Sequence, residues 1–121
     1  MWLPLIGLLL GVILGSIFSI SIPAEYTRYT AVAILAALDS VLGAVRADME
    51  DQYDNLVFVS GFLINAILAV LLTLLGDRLG VELYTAAVVA FGVRMFYNLA
   101  IIRRLLLNRV RSWWRKRQVT P

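Results

Sequence analysis

The sequence predicts an all-α protein: a four-helix transmembrane bundle with short loops and a basic amphipathic C-terminal helix. Three observations carry that expectation. Of 121 residues, 61% are hydrophobic and only 16% charged, with mean hydropathy +0.85. Soluble domains run at about 45–50% apolar and about 25% charged, and a chain this short has no core large enough for the excess. Most of it therefore has lipid as its solvent. Second, the apolar residues fall into four blocks, at about 2–22, 29–47, 56–75 and 83–107. At ~1.5 Å per residue, each spans the ~30 Å hydrocarbon layer as a helix. Third, the blocks are divided by short polar punctuation and the basic residues crowd one end.

The elements follow in order. Block one, Trp2 to Ile22, carries no charge. It lacks the basic start of a secretory leader and is longer than a leader's apolar region, so it is expected to stay as a span. Pro23, with no N–H to continue a helix, stops it. Block two holds Asp39 and Arg46. A central Asp costs about 2.5–3.5 kcal/mol on insertion, whereas Arg46 near the end snorkels. The surrounding Ala, Leu, Val and Ile offset that cost; three spans with a re-entrant second segment is the alternative. Block three is uncharged and ends at Gly76-Asp77-Arg78-Leu79-Gly80, with a glycine suited to a C-cap. Block four contains Arg94, Arg103 and Arg104. Residues 1–107 form one transmembrane domain and 108–121 a basic cytoplasmic tail. Connections of about 6–9 residues make consecutive helices antiparallel neighbours.

Orientation follows from Arg and Lys near the helix ends. Arg103, Arg104, Arg109, Arg111, Arg115, Lys116 and Arg117 lie in the C-terminal stretch, and four spans add Arg46 to their side. The other side holds only Arg28 and Arg78. By the positive-inside rule both termini face the cytoplasm, and the chain is expected to be a multi-pass protein of a cell membrane.

Several chemistries are excluded by composition. With no His and no Cys, the chain cannot build an ordinary zinc, haem or iron–sulfur site, a disulfide, or a Ser-His-Asp or Cys-His pair. Ser60-Gly61 has no imidazole to activate it. The expectation is no enzyme and no cofactor. The acids Asp48, Glu50, Asp51 and Asp54 share one loop, but without the glycine and terminal Glu of a calcium loop. A solvated loop, or one facing the basic tail, remains.

Three features are left to carry function. Gly7, Gly11 and Gly15 recur every four residues, with Ser19 a turn further, and put side-chain-free positions on one helix face. That face suits a neighbouring helix of the same bundle, self-association, or a partner's transmembrane helix. Asp39, Asn65 and Arg94 fall near one mid-membrane depth, and Asn98 lies one turn from Arg94 on its face. An Asp39–Arg94 ion pair with Asn65 nearby is the economical arrangement, either fixing helix register or lining an ion pathway. If the pair forms, each single loss destabilises and a reciprocal charge swap partly rescues. Finally, the tail interleaves Arg103, Arg104, Arg109, Arg111, Arg115, Lys116 and Arg117 with Leu106, Val110, Trp113 and Trp114. It reads as a helix lying along anionic headgroups. A cytoplasmic protein is the next candidate; lipid explains the tryptophans better than nucleic acid does.

The segments Met1-Trp2-Leu3-Pro4, Ile22-Pro23-Ala24-Glu25-Tyr26 and Leu35-Ala36-Ala37-Leu38-Asp39-Ser40 resemble the "small basic protein" family of Gram-positive and related bacteria. So do Tyr53-Asp54, Val57-Phe58-Val59-Ser60-Gly61-Phe62, Ala90-Phe91-Gly92-Val93-Arg94 and Ile101-Ile102-Arg103-Arg104. The likeness runs in order through all but the last dozen residues. It implies a small integral membrane protein whose gene lies beside those for cell division and the envelope, and it carries over no catalytic role.

Two function classes follow. One is a scaffold or assembly subunit of envelope or division machinery, oligomeric with itself or with other membrane proteins. The other is a small oligomeric channel or transporter using Asp39, Asn65 and Arg94. Against the second stand an uncharged first helix, unlike small multidrug transporters, and an Arg/Lys balance too uneven for dual topology.

Overall fold

The computed structural model describes residues 2–18 and 20–119, all helix, turn or irregular connection with no strand among them. Four α-helices follow one another: α1 Trp2–Ile17, α2 Thr27–Met49, α3 Asn55–Leu79 and α4 Leu83–Val119, with a single 3-10 turn, Ala24–Tyr26, before α2. Of these, α2, α3 and α4 are long and apolar enough to cross a membrane.

The second segment is the centre of the bundle and is long and apolar enough to cross a membrane. α2 runs unbroken for 23 residues and packs against both α3 and α4. The short helix is instead α1. Its 16 residues reach about 24 Å. The sequence alternates serine with isoleucine from 19 to 22 ahead of Pro23, which disfavours helix at the residue before it, and residues 20–22 are not helical.

Small residues let the three long helices approach closely. Val32 and Ala36 of α2, Ala69 of α3 and Ala87 of α4 form the buried core, with Val70, Leu72, Tyr84 and Phe91 packed around it. Thr73, also buried, donates its hydroxyl to the Ala69 carbonyl, and Ser40 donates to Ala36. These hydroxyls therefore enter an apolar setting already satisfied.

Two turns fix the bundle's ends. α3 continues one turn past the expected stop, and Gly80, at φ 70°, caps it by donating its N–H to the Gly76 carbonyl. Gly76 itself has no space: a Cβ there would lie 2.6 Å from the Val81 carbonyl oxygen. That extra helical turn presents Asp77 to α2, where Arg28 pairs with it at 3.3 Å and the Tyr29 hydroxyl donates to its other oxygen. At the opposite end Asp54 caps α3, accepting from the N–H groups of Leu56 (2.7 Å) and Val57 (3.1 Å).

The tail is not a separate surface helix. α4 continues for 37 residues without a break, about 55 Å, because nothing between Gly92 and Gln118 interrupts helical preference. α2 and α4 run parallel, and Arg109 reaches the last turn of α2, donating to the Met49 carbonyl at 3.2 Å. From there the basic end of α4 is exposed and stands clear of the other described helices.

Candidate functional site: a polar cleft and an open helix face

The bundle is asymmetric along its length. The half farther from the 50–54 loop, around Ala36, Ala69 and Ala87, is closed and apolar. In the half toward the 50–54 loop, the same α2 stripe continues as Asp39, Gly43, Arg46 and Glu50, at helical spacings of four, three and four. The α4 stripe continues as Arg94 and Asn98. Polar side chains thus follow the alanines along the same stripes, with Asp39 and Asn98 buried and Arg94 and Glu50 exposed.

Asp39 is fully buried, and Arg94 Nη2 lies 3.5 Å from its Oδ2. This is a charge contact without hydrogen-bond geometry. Neither carboxylate oxygen has a hydrogen-bond partner among the described residues. Arg94 is 57% exposed, so the pair is lopsided: an enclosed anion beside an accessible cation. Asn65, on α3, lines the same cleft as both but bonds to neither. Asn98 is buried and accepts a hydrogen bond from Arg46 Nη1 at 3.1 Å.

Arg46 is the residue that sequence reasoning missed. Rather than snorkelling outward, it turns in, bonding Asn98, pairing with Glu50 at 3.2 Å and stacking 5.2 Å over Tyr97. The available signal was its place on the Asp39–Gly43–Arg46–Glu50 stripe. Of the loop acids, Glu50 is held by Arg46 and Asp54 is committed to the α3 cap. Tyr53, between them, has a buried hydroxyl without a partner among the described residues. Burial, with Asp48 and Asp54 adding to it, raises its pKa above 10.0.

Two openings flank α2. One, of about 200 Å³, runs between α2 and α3 from the loop to Asp39, Asn65 and Arg94. The other, about 370 Å³, lies between α2 and α4 and is lined by Arg46, Glu50, Arg94, Tyr97 and Asn98.

The glycine stripe sits elsewhere. α1 packs on the bundle chiefly through α2, and a Cβ added at Gly7, Gly11 or Gly15 would meet nothing within 4 Å. Gly7 and Gly11 border an apolar groove of about 660 Å³ between α1 and the α2–α3 pair, walled by Leu38, Val41, Phe58 and Phe62. Among the described residues no helix fills that face. Ser19 lies outside the described residues. On the tail, Arg103, Arg104, Arg111, Arg115, Lys116, Trp113 and Trp114 are exposed. Trp113 and Trp114 meet edge to face, and Arg117 stacks 3.9 Å over Trp113.

Residues 22–107 match a family model described as a protein of unknown function (DUF1290). The chain is 52% identical over 109 residues to the "Small basic protein" of Bacillus subtilis (strain 168), covering 90% of each. It is 41% identical over 104 residues to an uncharacterized protein of Mycobacterium tuberculosis (strain ATCC 25618 / H37Rv), covering 84% of this chain and 86% of that one. A Mycobacterium bovis protein, also uncharacterized by name, matches to the same extent. No solved structure matches. None of these names is that of an enzyme. The chain, three of whose helices are long and apolar enough to cross a membrane, belongs to the small basic protein (DUF1290) family.

Proposed function

We propose that this protein is a small multi-pass assembly subunit of the cell envelope or cell-division machinery, which docks a transmembrane helix of another protein against α1. The carrying observation is the unpartnered glycine face. An intramolecular role would have Gly7, Gly11 and Gly15 against a neighbouring helix, yet open space surrounds all three. Between helices in lipid, association comes from close packing rather than from a hydrophobic drive, and small residues at intervals of four permit that approach. The apolar groove beside Gly7 and Gly11 offers a second wall to the incoming helix. The envelope and division setting rests on what the family resemblance implies.

In this reading α1 is the fourth span. Its helical length of about 24 Å falls short of the hydrocarbon thickness, a mismatch that local thinning and association with a longer helix both relieve. Both termini then face the cytoplasm, and the basic end of α4 contacts anionic headgroups or a cytoplasmic protein. Asp39 and Arg94 set the register of α2 against α4. The channel reading is weaker, because the cleft that reaches Asp39 ends on the alanine core.

The test is purification of the tagged protein from its own membranes in mild detergent, as wild type and with Gly7, Gly11 and Gly15 each changed to Leu. Envelope or division membrane proteins should accompany the wild type in fixed ratio and be lost from the leucine variants, while yield and helicity stay unchanged. A wild type that elutes without companions, or leucine variants that keep them, would overturn the proposal.

A further inference from the structure

The cleft between α2 and α3 has two properties that packing alone does not account for. It contains a fully buried carboxylate, Asp39, whose two oxygens lack hydrogen-bond donors among the described residues, and a buried phenol, Tyr53, in the same condition. It is also roomy: about 200 Å³ corresponds to about six or seven waters at ~30 Å³ each. Buried polar groups left without partners are costly, and an ionised carboxylate most of all. A cavity that is polar, has several acceptors and holds more than one water is the kind that hydrates.

The geometry points to a one-sided aqueous vestibule, which admits water and small water-soluble molecules from the 50–54 loop to the Asp39–Arg94 pair at mid-membrane depth. The entrance is set by the loop, where Gln52, Tyr53 and Asp54 line the cleft. Its passage is kept open by residues with little or no side chain, Gly43 and Ala47 on α2 and Gly61 on α3; a Cβ at Gly61 would touch nothing within 4 Å. Its floor is Asp39, Asn65 and Arg94. Beyond the floor Val32, Ala36, Ala69 and Ala87 are at most 4% exposed, and that packing closes the path to the opposite face. Water in the vestibule solvates the accessible Arg94 guanidinium, with Asp39 enclosed behind it, and so lowers the cost of keeping an ion pair at this depth. The inference does not involve α1, so it stands or falls separately from the docking proposal.

The chain contains no cysteine, so single-cysteine variants report directly. Gln52→Cys marks the entrance face; Gly61→Cys and Asn65→Cys sit along the path and at its floor; Ala66→Cys packs toward the core, and Ile67→Cys is exposed on the α3 surface away from the cleft. Each full-length variant, in native membranes as inside-out and right-side-out vesicles, is treated with a membrane-impermeant trimethylammonium methanethiosulfonate, which needs a hydrated thiolate. Gly61→Cys and Asn65→Cys should react from the same face as Gln52→Cys, within about two orders of magnitude of its rate, with Ala66→Cys and Ile67→Cys unreactive until SDS is added. Adding Gly61→Leu should block Asn65→Cys and spare Gln52→Cys. Unreactive Gly61→Cys and Asn65→Cys beside a reactive Gln52→Cys would overturn the vestibule. Reaction of Asn65→Cys from the opposite face would overturn its one-sidedness.

Discussion

Removing Arg94 is expected to cost more than removing Asp39, because the two partners are buried so unequally. At 3.5 Å and an effective dielectric of about 20, the attraction is about 5 kcal/mol. The 57% exposure of Arg94 screens part of that. Taking away one partner of a buried pair costs about 3–5 kcal/mol. Arg94→Ala, which strands a carboxylate with no hydrogen bond, is therefore expected to lose about 2–4 kcal/mol. Asp39→Ala leaves a guanidinium that already borders the second opening beside Glu50, and should lose about 1–2 kcal/mol. The double variant should be less destabilised than the sum, with a coupling of at least about 1.5 kcal/mol. The assay is reversible unfolding by SDS in mixed micelles, followed by far-UV circular dichroism, for wild type, both singles and the double. Additivity within about 0.5 kcal/mol, or a larger loss for Asp39→Ala than for Arg94→Ala, would refute the reasoning. The reciprocal swap that the sequence suggested is a poorer probe, since it puts the larger side chain at the fully enclosed position 39.

Three further outcomes follow from local geometry. Gly76→Ala should destabilise the bundle measurably in the same assay, because its Cβ would press on the Val81 carbonyl, whereas Gly92→Ala, with nothing within 4 Å, should be neutral or gain up to about 1 kcal/mol of helix propensity. Asp54→Ala removes the acceptor for two N–H groups of α3 and should cost about 0.5–2 kcal/mol, with fraying read by amide exchange at Leu56 and Val57. The raised pKa of Tyr53 means that above its ordinary value of about 10 the unfolded chain loses this proton before the folded one does. Its contribution to stability is thus flat below about pH 10 and declines above it; Tyr53→Phe should remove that part of the alkaline slope, and an unchanged slope would contradict it.

The helical class and the positions of three long helices were legible because block length, the absence of alternation and the polar separators all derive from lipid as solvent. The Asp39–Arg94 contact was legible for a related reason: mid-block charges have few places to go. What the sequence hid came from tertiary choices. Block one reads as one span because its composition is uniform, yet the Ser-Ile alternation before Pro23 ends α1 at Ile17. Arg46 looked like a snorkelling residue by position, and only the pairing of α2 with α4 shows it turned toward Asn98. The tail's tryptophans suggested a surface helix, but its helix formers simply prolong α4. The glycine stripe was visible from spacing; that no helix among the described residues covers it was not.

The most direct measurement places a photoreactive amino acid at Gly11 in otherwise wild-type protein, irradiates living cells, and identifies what is captured. The account predicts one dominant adduct with a transmembrane segment of another envelope or division protein, lost when Gly7 and Gly15 are changed to leucine. Capture only within this chain, on α2 or α3, would mean that α1 folds down onto its own bundle, and would contradict the docking of a partner.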